Sequence, residues 1–301
     1  MSIITDRLPA FVDTHIHLFD LSHPSLRWDW IDTPDDHYEL GNIDQIKMRA
    51  FTMRALEAEA RFSGVTSFVH VQAAIGSPDP VEETRWLEAM AVEHPRLAAI
   101  VGHVTLADRD AGDVMDAHLA ASTRFRGVRD FAVEPWLASG RNDPAMERGL
   151  ALLTERGLLL DLDCAYPNMS AARRMAGRYP ELPVVLEHIG FPRRRDKEYF
   201  DNWSAGIREL AQADNVTCKM SGIAMTDPQF TLDSLRPWAE TCLQVFGPER
   251  CMIGSNWPLD RLFSSYDSII AVYRELLGSL DREEQEQVLI TTAERVYRPE
   301  R

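Results

Sequence analysis

The chain has 301 residues, 45 % of them hydrophobic and 26 % charged, which is enough apolar material for a full-size core in a soluble globular protein. Its formal net charge of −15, from 47 acidic against 32 basic side chains, opposes binding to nucleic acid or to an anionic membrane. No apolar run reaches the roughly 20 residues that span a bilayer, and the start MSIITDRLPA lacks the cationic-then-apolar order of an export signal, so a cytoplasmic location is expected. Cys164, Cys218, Cys242 and Cys251 show no finger-like or CxxC spacing and read as buried, reduced thiols.

The first predicted element is a strand at Phe11–Leu18, with His15 and His17 one residue apart near its end. Alternate side chains of a strand share a face, so both imidazoles project together, and Asp13 shares their parity as a candidate partner for fixing a tautomer. Paired imidazoles at a strand end suit a metal or a substrate oxygen better than packing. Residues 19–62 then form an insertion much longer than a usual strand–helix loop. It carries Trp28, Trp30 and His37, and its second half, 43–62, reads as a helix. Such a segment is either an active-site lid or an aromatic cluster packed onto the main body.

Seven further strands are predicted near Val65–Gln72, Leu97–Thr105, Phe125–Phe131, Leu158–Cys164, Pro183–Gly190, Asn215–Gly222 and Cys251–Pro258. Between them lie stretches with apolar residues at helical spacing: Val81–Glu93, Ala145–Arg156, Ser170–Tyr179, Ser204–Ala213 and Leu232–Phe246. Eight strands alternating with helices predict an α/β fold, a single (β/α)8 TIM barrel over residues 1–301 with the long insertion after strand 1. No GxGxxG or GxxxxGK[ST] follows a strand, which disfavours an open doubly wound sheet, and no organic cofactor is expected.

In such barrels the chemistry collects at the C-terminal ends of the strands. The predicted ends supply His15 and His17, Arg129 and Asp130, Asp161 and Asp163, Glu187 and His188, Lys219 and Ser221, then Asn256 and Trp257 followed by Asp260. Ionisable groups on this many buried strands need one another, a ligand or water. His188 neighbours Glu187, which by strand parity points away from it. His70 and His103 read as satisfied core histidines, whereas His23, His37, His94 and His118 read as solvated.

These motifs carry a resemblance. DTHIHL (13–18), GVRD (127–130), LEHIG (186–190), NVTCKMSG (215–222), FGPERCMIGSNWP (246–258) and AERVYR (293–298) resemble the amidohydrolase superfamily, in the branch of 2-pyrone-4,6-dicarboxylate lactonase and sugar-acid lactonases. The resemblance implies that His15, His17 and His188 face the reaction centre, with a strand-eight carboxylate as general base. Here the usual GSDWP reads GSNWP, and the amide of Asn256 cannot accept a proton at neutral pH. Asp260 is the first substitute as base, with Asp163 and Asp130 after it, while Asn256 would orient water or donate to the oxyanion. Members of the superfamily commonly bind divalent ions, and lactonases of this branch also work without one. Three neutral imidazoles, His15, His17 and His188, suffice for one zinc with an open position.

The implied reaction is water attack on the ring carbonyl of a small anionic lactone, with or without a metal. Arg129 and Arg193, with Lys219 and Trp257, are the candidate substrate-binding residues, since guanidinium groups grip carboxylates or sulfonates bidentately. The run Arg193–Arg195 also reads as surface arginines paired with Asp196 and Glu198. A lactone isomerase, a zinc-dependent decarboxylase and a catalytically dead barrel kept as a binding partner are the competing functions. The expected partner is the small-molecule lactone, and a homo-oligomer is compatible with the sequence.

Overall fold

The computed structural model describes residues 9–33, 36–37, 40–47 and 50–298. Eight strands form one parallel sheet in chain order: β1 (Phe11–Ile16), β2 (Val65–Val71), β3 (Leu97–His103), β4 (Phe125–Arg129), β5 (Leu159–Leu162), β6 (Val184–Leu186), β7 (Val216–Met220) and β8 (Cys251–Ile253). Just beyond β8 the chain returns to β1. His17 N donates to Trp257 O (2.7 Å), Asn256 N to His15 O (2.8 Å), and Thr14 Oγ1 to Ile253 O (2.7 Å). These bonds draw the sheet into a nearly closed barrel with helices between its strands, the expected (β/α)8 architecture.

Val12, Val69, Val71, Ala99, Val101, Leu159, Val185 and Met252 pack together with Ala293, Val296 and Tyr297 of the helix Thr292–Tyr297. This apolar set forms a second core, in which the C-terminal helix packs against residues of the strands. A larger apolar layer lies between the sheet and the surrounding helices. The insertion forms two short helices, Asp44–Lys47 and Met53–Glu59, rather than one helix over 43–62, and residues 48–49 lie outside the described residues. The four cysteines are buried and unpaired. His118 is buried rather than solvated: it stacks on Phe125 with ring centroids 4.5 Å apart and bonds Thr84 Oγ1 at 2.8 Å.

Two local departures from strand parity matter for function. The pairing of β1 with β2 shifts register between Asp13 and Ile16, so Asp13 and His15 do not share a face. Asp13 faces the outer helices and staples the seam: its carboxylate accepts from Ser255 N (2.8 Å), His15 N (3.3 Å) and Tyr266 Oη (2.9 Å). It holds backbone, not an imidazole tautomer. The second departure follows β6, where His188 (φ 51°) and Ile189 (φ 49°) adopt left-handed conformations that non-glycine residues rarely take.

The seam depends on a glycine. A Cβ on Gly254 would lie 2.6 Å from His15 Cβ and 2.8 Å from His15 N, and neither can retreat without moving β1. Gly254→Ala is therefore expected to lower stability by about 1–3 kcal/mol in urea denaturation. Gly177→Ala, in a helix with nothing within 4 Å of the added methyl, should be neutral or stabilising by about 0.5–1 kcal/mol. Equal effects from the two would remove the close-packing account of the seam.

Candidate active site

At the strand ends a cavity of about 390 Å³ is lined by His17, Gln72, Arg129, His188, Asn256 and residues of the surrounding loops. Trp30 and His37 of the insertion also contribute to its wall. His15 lies directly beneath, its ring centroid 4.8 Å from that of His17 and 4.5 Å from that of His188. The seam explains this grouping, because the same few residues that close the barrel carry His15, His17 and Asn256.

The imidazoles form a directed chain. His17 Nδ1 is 2.8 Å from Val71 O, which fixes the proton on that nitrogen and leaves Nε2 as an acceptor. His15 Nε2, 3.0 Å away, is then the donor to it. That requires a bare His15 Nδ1, and Lys219 Nζ lies 3.4 Å from this atom as donor. His188 Nδ1 contacts Ser221 Oγ at 2.8 Å.

Beneath the rings lies a buried charge network. Arg129 Nη1 grips both oxygens of Glu187 (3.2 and 3.0 Å), and its Nη2 donates to Gln72 O (2.6 Å). Lys219 Nζ donates to Asp161 Oδ2 (2.7 Å), which also accepts from Tyr297 Oη (3.3 Å). Glu187 therefore points into the barrel beside His15 Nδ1 (3.5 Å), not away from it as parity predicts, because the left-handed turn lets neighbours Glu187 and His188 both reach His15.

Burial sets the charge states here. Loss of water pushes the His15 and His17 pKa values well below 6.5, with Lys219 adding to the effect at His15 and Arg129 at His17. Burial likewise lowers His188 to about 4, although Glu187 opposes it. All three rings are neutral at pH 7. Burial works against a charge on Glu187, yet Arg129 and Lys219 outweigh it and hold that carboxylate below its ordinary value. Asp161 is pushed up to about 7 by burial despite Lys219. The floor of the site thus carries two cations, Arg129 and Lys219, each paired with a buried carboxylate, Glu187 and Asp161.

Other expected site residues fall elsewhere. Lys219 is fully buried and lies outside the cavity lining, below His15. Trp257 is also outside the lining; it packs on Phe51 and donates Nε1 to Glu59 (3.0 Å). Arg193 reaches the cavity rim, whereas Arg194 pairs with Asp196 and Arg195 with Asp227. Asp130 caps backbone, accepting from Leu106 N and Ala132 N. Asp163 lines the cavity. Asp260 is buried and absent from the lining, and its oxygens accept from Ala224 N (3.0 Å), Met225 N (3.1 Å) and Asn256 Nδ2 (2.9 Å). It anchors the Asn256 amide and the neighbouring loop.

Gln72 was missed from sequence because it ends an apolar strand with no partner motif. Its amide nitrogen and oxygen are buried without hydrogen bonds, as are Asn256 Oδ1 and Arg129 Nε. Among the described residues no three His, Cys, Asp or Glu side chains gather to hold a metal ion. His15 and His17 direct their Nε2 atoms at each other, and His188 turns Nδ1 to Ser221. The Nε2 atoms of His15 and His17 are spaced as two ligands of one ion would be, and it is the third ligand that is not gathered with them among the described residues.

Burial pushes Asp260 from 3.8 up to about 7. Between those values the folded chain keeps a proton that the unfolded chain has released, so this group's contribution to stability is present at low pH and is lost as pH rises towards 7. Asp260→Asn is expected to flatten the fall by up to about 1.4 kcal/mol per pH unit, measured by urea unfolding between pH 5 and 7. Parallel curves for variant and parent would show an ordinary carboxyl.

The amidohydrolase profile matches residues 12–298. An uncharacterised protein of Sinorhizobium fredii, y4mH, is 29% identical over 96% of this chain and 98% of its own length. L-fucono-1,5-lactonase of Burkholderia ambifaria is 30% identical over 86% of this chain and 85% of that protein. An amidohydrolase from Burkholderia multivorans, crystallised with bound zinc, superposes with a TM-score of 0.80 at 24% identity, covering 97% of this chain and all of that one (100%). With the match spanning the whole barrel and the histidines of its first and sixth strands meeting in one site, the chain belongs to the amidohydrolase family.

Proposed function

We propose that the protein hydrolyses a small, hydroxylated, anionic lactone, and that it does so without a metal. The observation that carries this reading is one cavity lined by neutral imidazoles, two arginines and two under-bonded amides, in a chain similar along most of its length to a sugar-acid lactonase. Arg129 and Arg193 on the cavity wall suit an acid function on the substrate and the negative charge that develops on the ring carbonyl.

Water attack needs a base that touches the cavity. His188 supports that role better than Asp260, whose oxygens are occupied by three donors away from the lining. With Nδ1 engaged by Ser221, His188 retains Nε2 as a proton acceptor, and a pKa near 4 gives it the basicity of a carboxylate. Asn256 Oδ1 accepts the second water hydrogen and orients the nucleophile, with Asp260 fixing the amide from behind. Arg129 Nε donates to the forming oxyanion, and Arg193 at the rim receives the substrate's acid group. When the ring opens, His188 returns its proton to the leaving alkoxide. Zinc-dependent decarboxylation is disfavoured because the donor set does not assemble.

The unpaired amide of Gln72 supports a hydroxylated substrate. A buried amide lacking both a donor and an acceptor partner is costly, and one substrate hydroxyl group can satisfy either atom. A planar pyrone dicarboxylate offers no hydroxyl donor to Gln72 Oε1. The insertion, through Trp30 and His37, acts as the lid over the bound ring.

His188→Gln should lower kcat by about 10²–10⁴-fold on an aldonolactone, followed by pH drop. Prolonged dialysis against a chelator should leave the parent rate unchanged, and restoration of a lost rate by zinc would overturn the metal-free reading. Gln72→Leu is expected to cut kcat/KM about 10–100-fold on a hydroxylated lactone and hardly at all on its deoxy analogue. Equal losses on both would show that Gln72 does not read a hydroxyl.

A further inference from the structure

On the outer wall of the barrel, a cleft of about 640 Å³ opens between the helices Val133–Ser139, Pro144–Glu155 and Met169–Arg178. It shares no lining residue with the catalytic cavity. Four arginines line it (Arg141, Arg173, Arg174 and Arg178), and Glu147 is the single acid among its lining residues. That is a local excess of positive charge on a chain of net charge −15.

Several arginines elsewhere on this surface pair with carboxylates, Arg85 with Asp79 and Glu82, Arg156 with Asp116 and Arg261 with Glu59, and others such as Arg148 and Arg250 are held by backbone carbonyls. In the cleft only Arg178 has such a partner, Glu147 at 2.5 Å, while Arg174 donates to Ser170 Oγ at 2.8 Å. Among the described residues neither Arg141 nor Arg173 forms an ion pair. Arg173 Nε and the indole Nε1 of Trp136 are buried donors without an acceptor. Arg174 and Arg178 also stand one helical turn apart, a spacing at which like charges repel. Donors in excess and acceptors lacking both call for an anion with several oxygens.

We propose that this cleft binds a phosphate-bearing small molecule. Guanidinium groups match the geometry of phosphate oxygens through paired N–H bonds, and a phosphate accepts from more donors than a lone carboxylate. Trp136, with the Arg178 guanidinium 5.9 Å from its ring centroid, supplies an indole N–H and an aromatic wall for the organic part. The site is independent of the hydrolytic reading, since none of its residues touches the catalytic cavity.

Isothermal titration of the full chain with pyrophosphate and with a hexose phosphate, at about 0.15 M salt to suppress loose ion pairing, tests the proposal. Millimolar or tighter binding of either probe is expected, weakened roughly tenfold or more in Arg141→Gln/Arg173→Gln. Arg141→Gln alone, at an exposed position where the fold does not depend on the side chain, gives a milder loss, and lactone hydrolysis should match the parent in both variants. Flat titrations with both probes, or equal binding by parent and double variant, would overturn it. Association of the parent into dimers that the double variant loses, with no probe binding, would also overturn it by giving the arginines to a protein contact.

Discussion

The return of the chain from β8 to β1 is the constraint on which the rest of the structure depends. A barrel of eight parallel strands must close, and here closure uses the backbone of His15, His17, Asn256 and Trp257. The atoms that complete the sheet therefore also fix the positions of the rings and amide above it. Asp13 reinforces the join by tying Ser255, His15 and Tyr266 to one carboxylate. A displacement here would register at once in the imidazole geometry, so fold and site are secured by the same contacts.

Below the join, the charges set the chemistry. Buried histidines surrounded by lysine and arginine stay neutral, and Lys219 and Val71 give their hydrogen bonds a single direction. A neutral, oriented set of rings suits proton transfer to and from an uncharged water. Replacement of the usual strand-eight aspartate by Asn256 is consistent with this balance. An aspartate in its place would set a second buried carboxylate against Asp260, and two carboxylates that close could not both ionise. The amide keeps the oxygen and avoids the charge.

The barrel was legible in the sequence because strand and helix periods alternate cleanly, and because polar residues end apolar runs at regular intervals. Parity placed His15 and His17 together, and the family resemblance implied that His188 joins them. What stayed hidden depends on backbone irregularity. The register shift in β1 separates Asp13 from His15, and the left-handed turn at His188 and Ile189 sends Glu187 inward. Strand parity assumes neither. The partners of buried groups were equally out of reach, since Arg129 with Glu187 and Lys219 with Asp161 are pairs made 58 residues apart. Gln72 gave no signal because its importance lies in lacking partners, which only packing reveals.

The central claim is that the buried imidazoles of His15 and His17 form a neutral, one-directional hydrogen-bond chain. Nitrogen-15 NMR of the histidine rings measures this directly, since each tautomer and the imidazolium have distinct shifts. Between pH 5.5 and 8, about the range in which an ordinary histidine changes charge, the account predicts unchanging signals with the proton on Nδ1 of His17 and on Nε2 of His15. Titration of either ring within that range, or the opposite tautomer at His17, would contradict it.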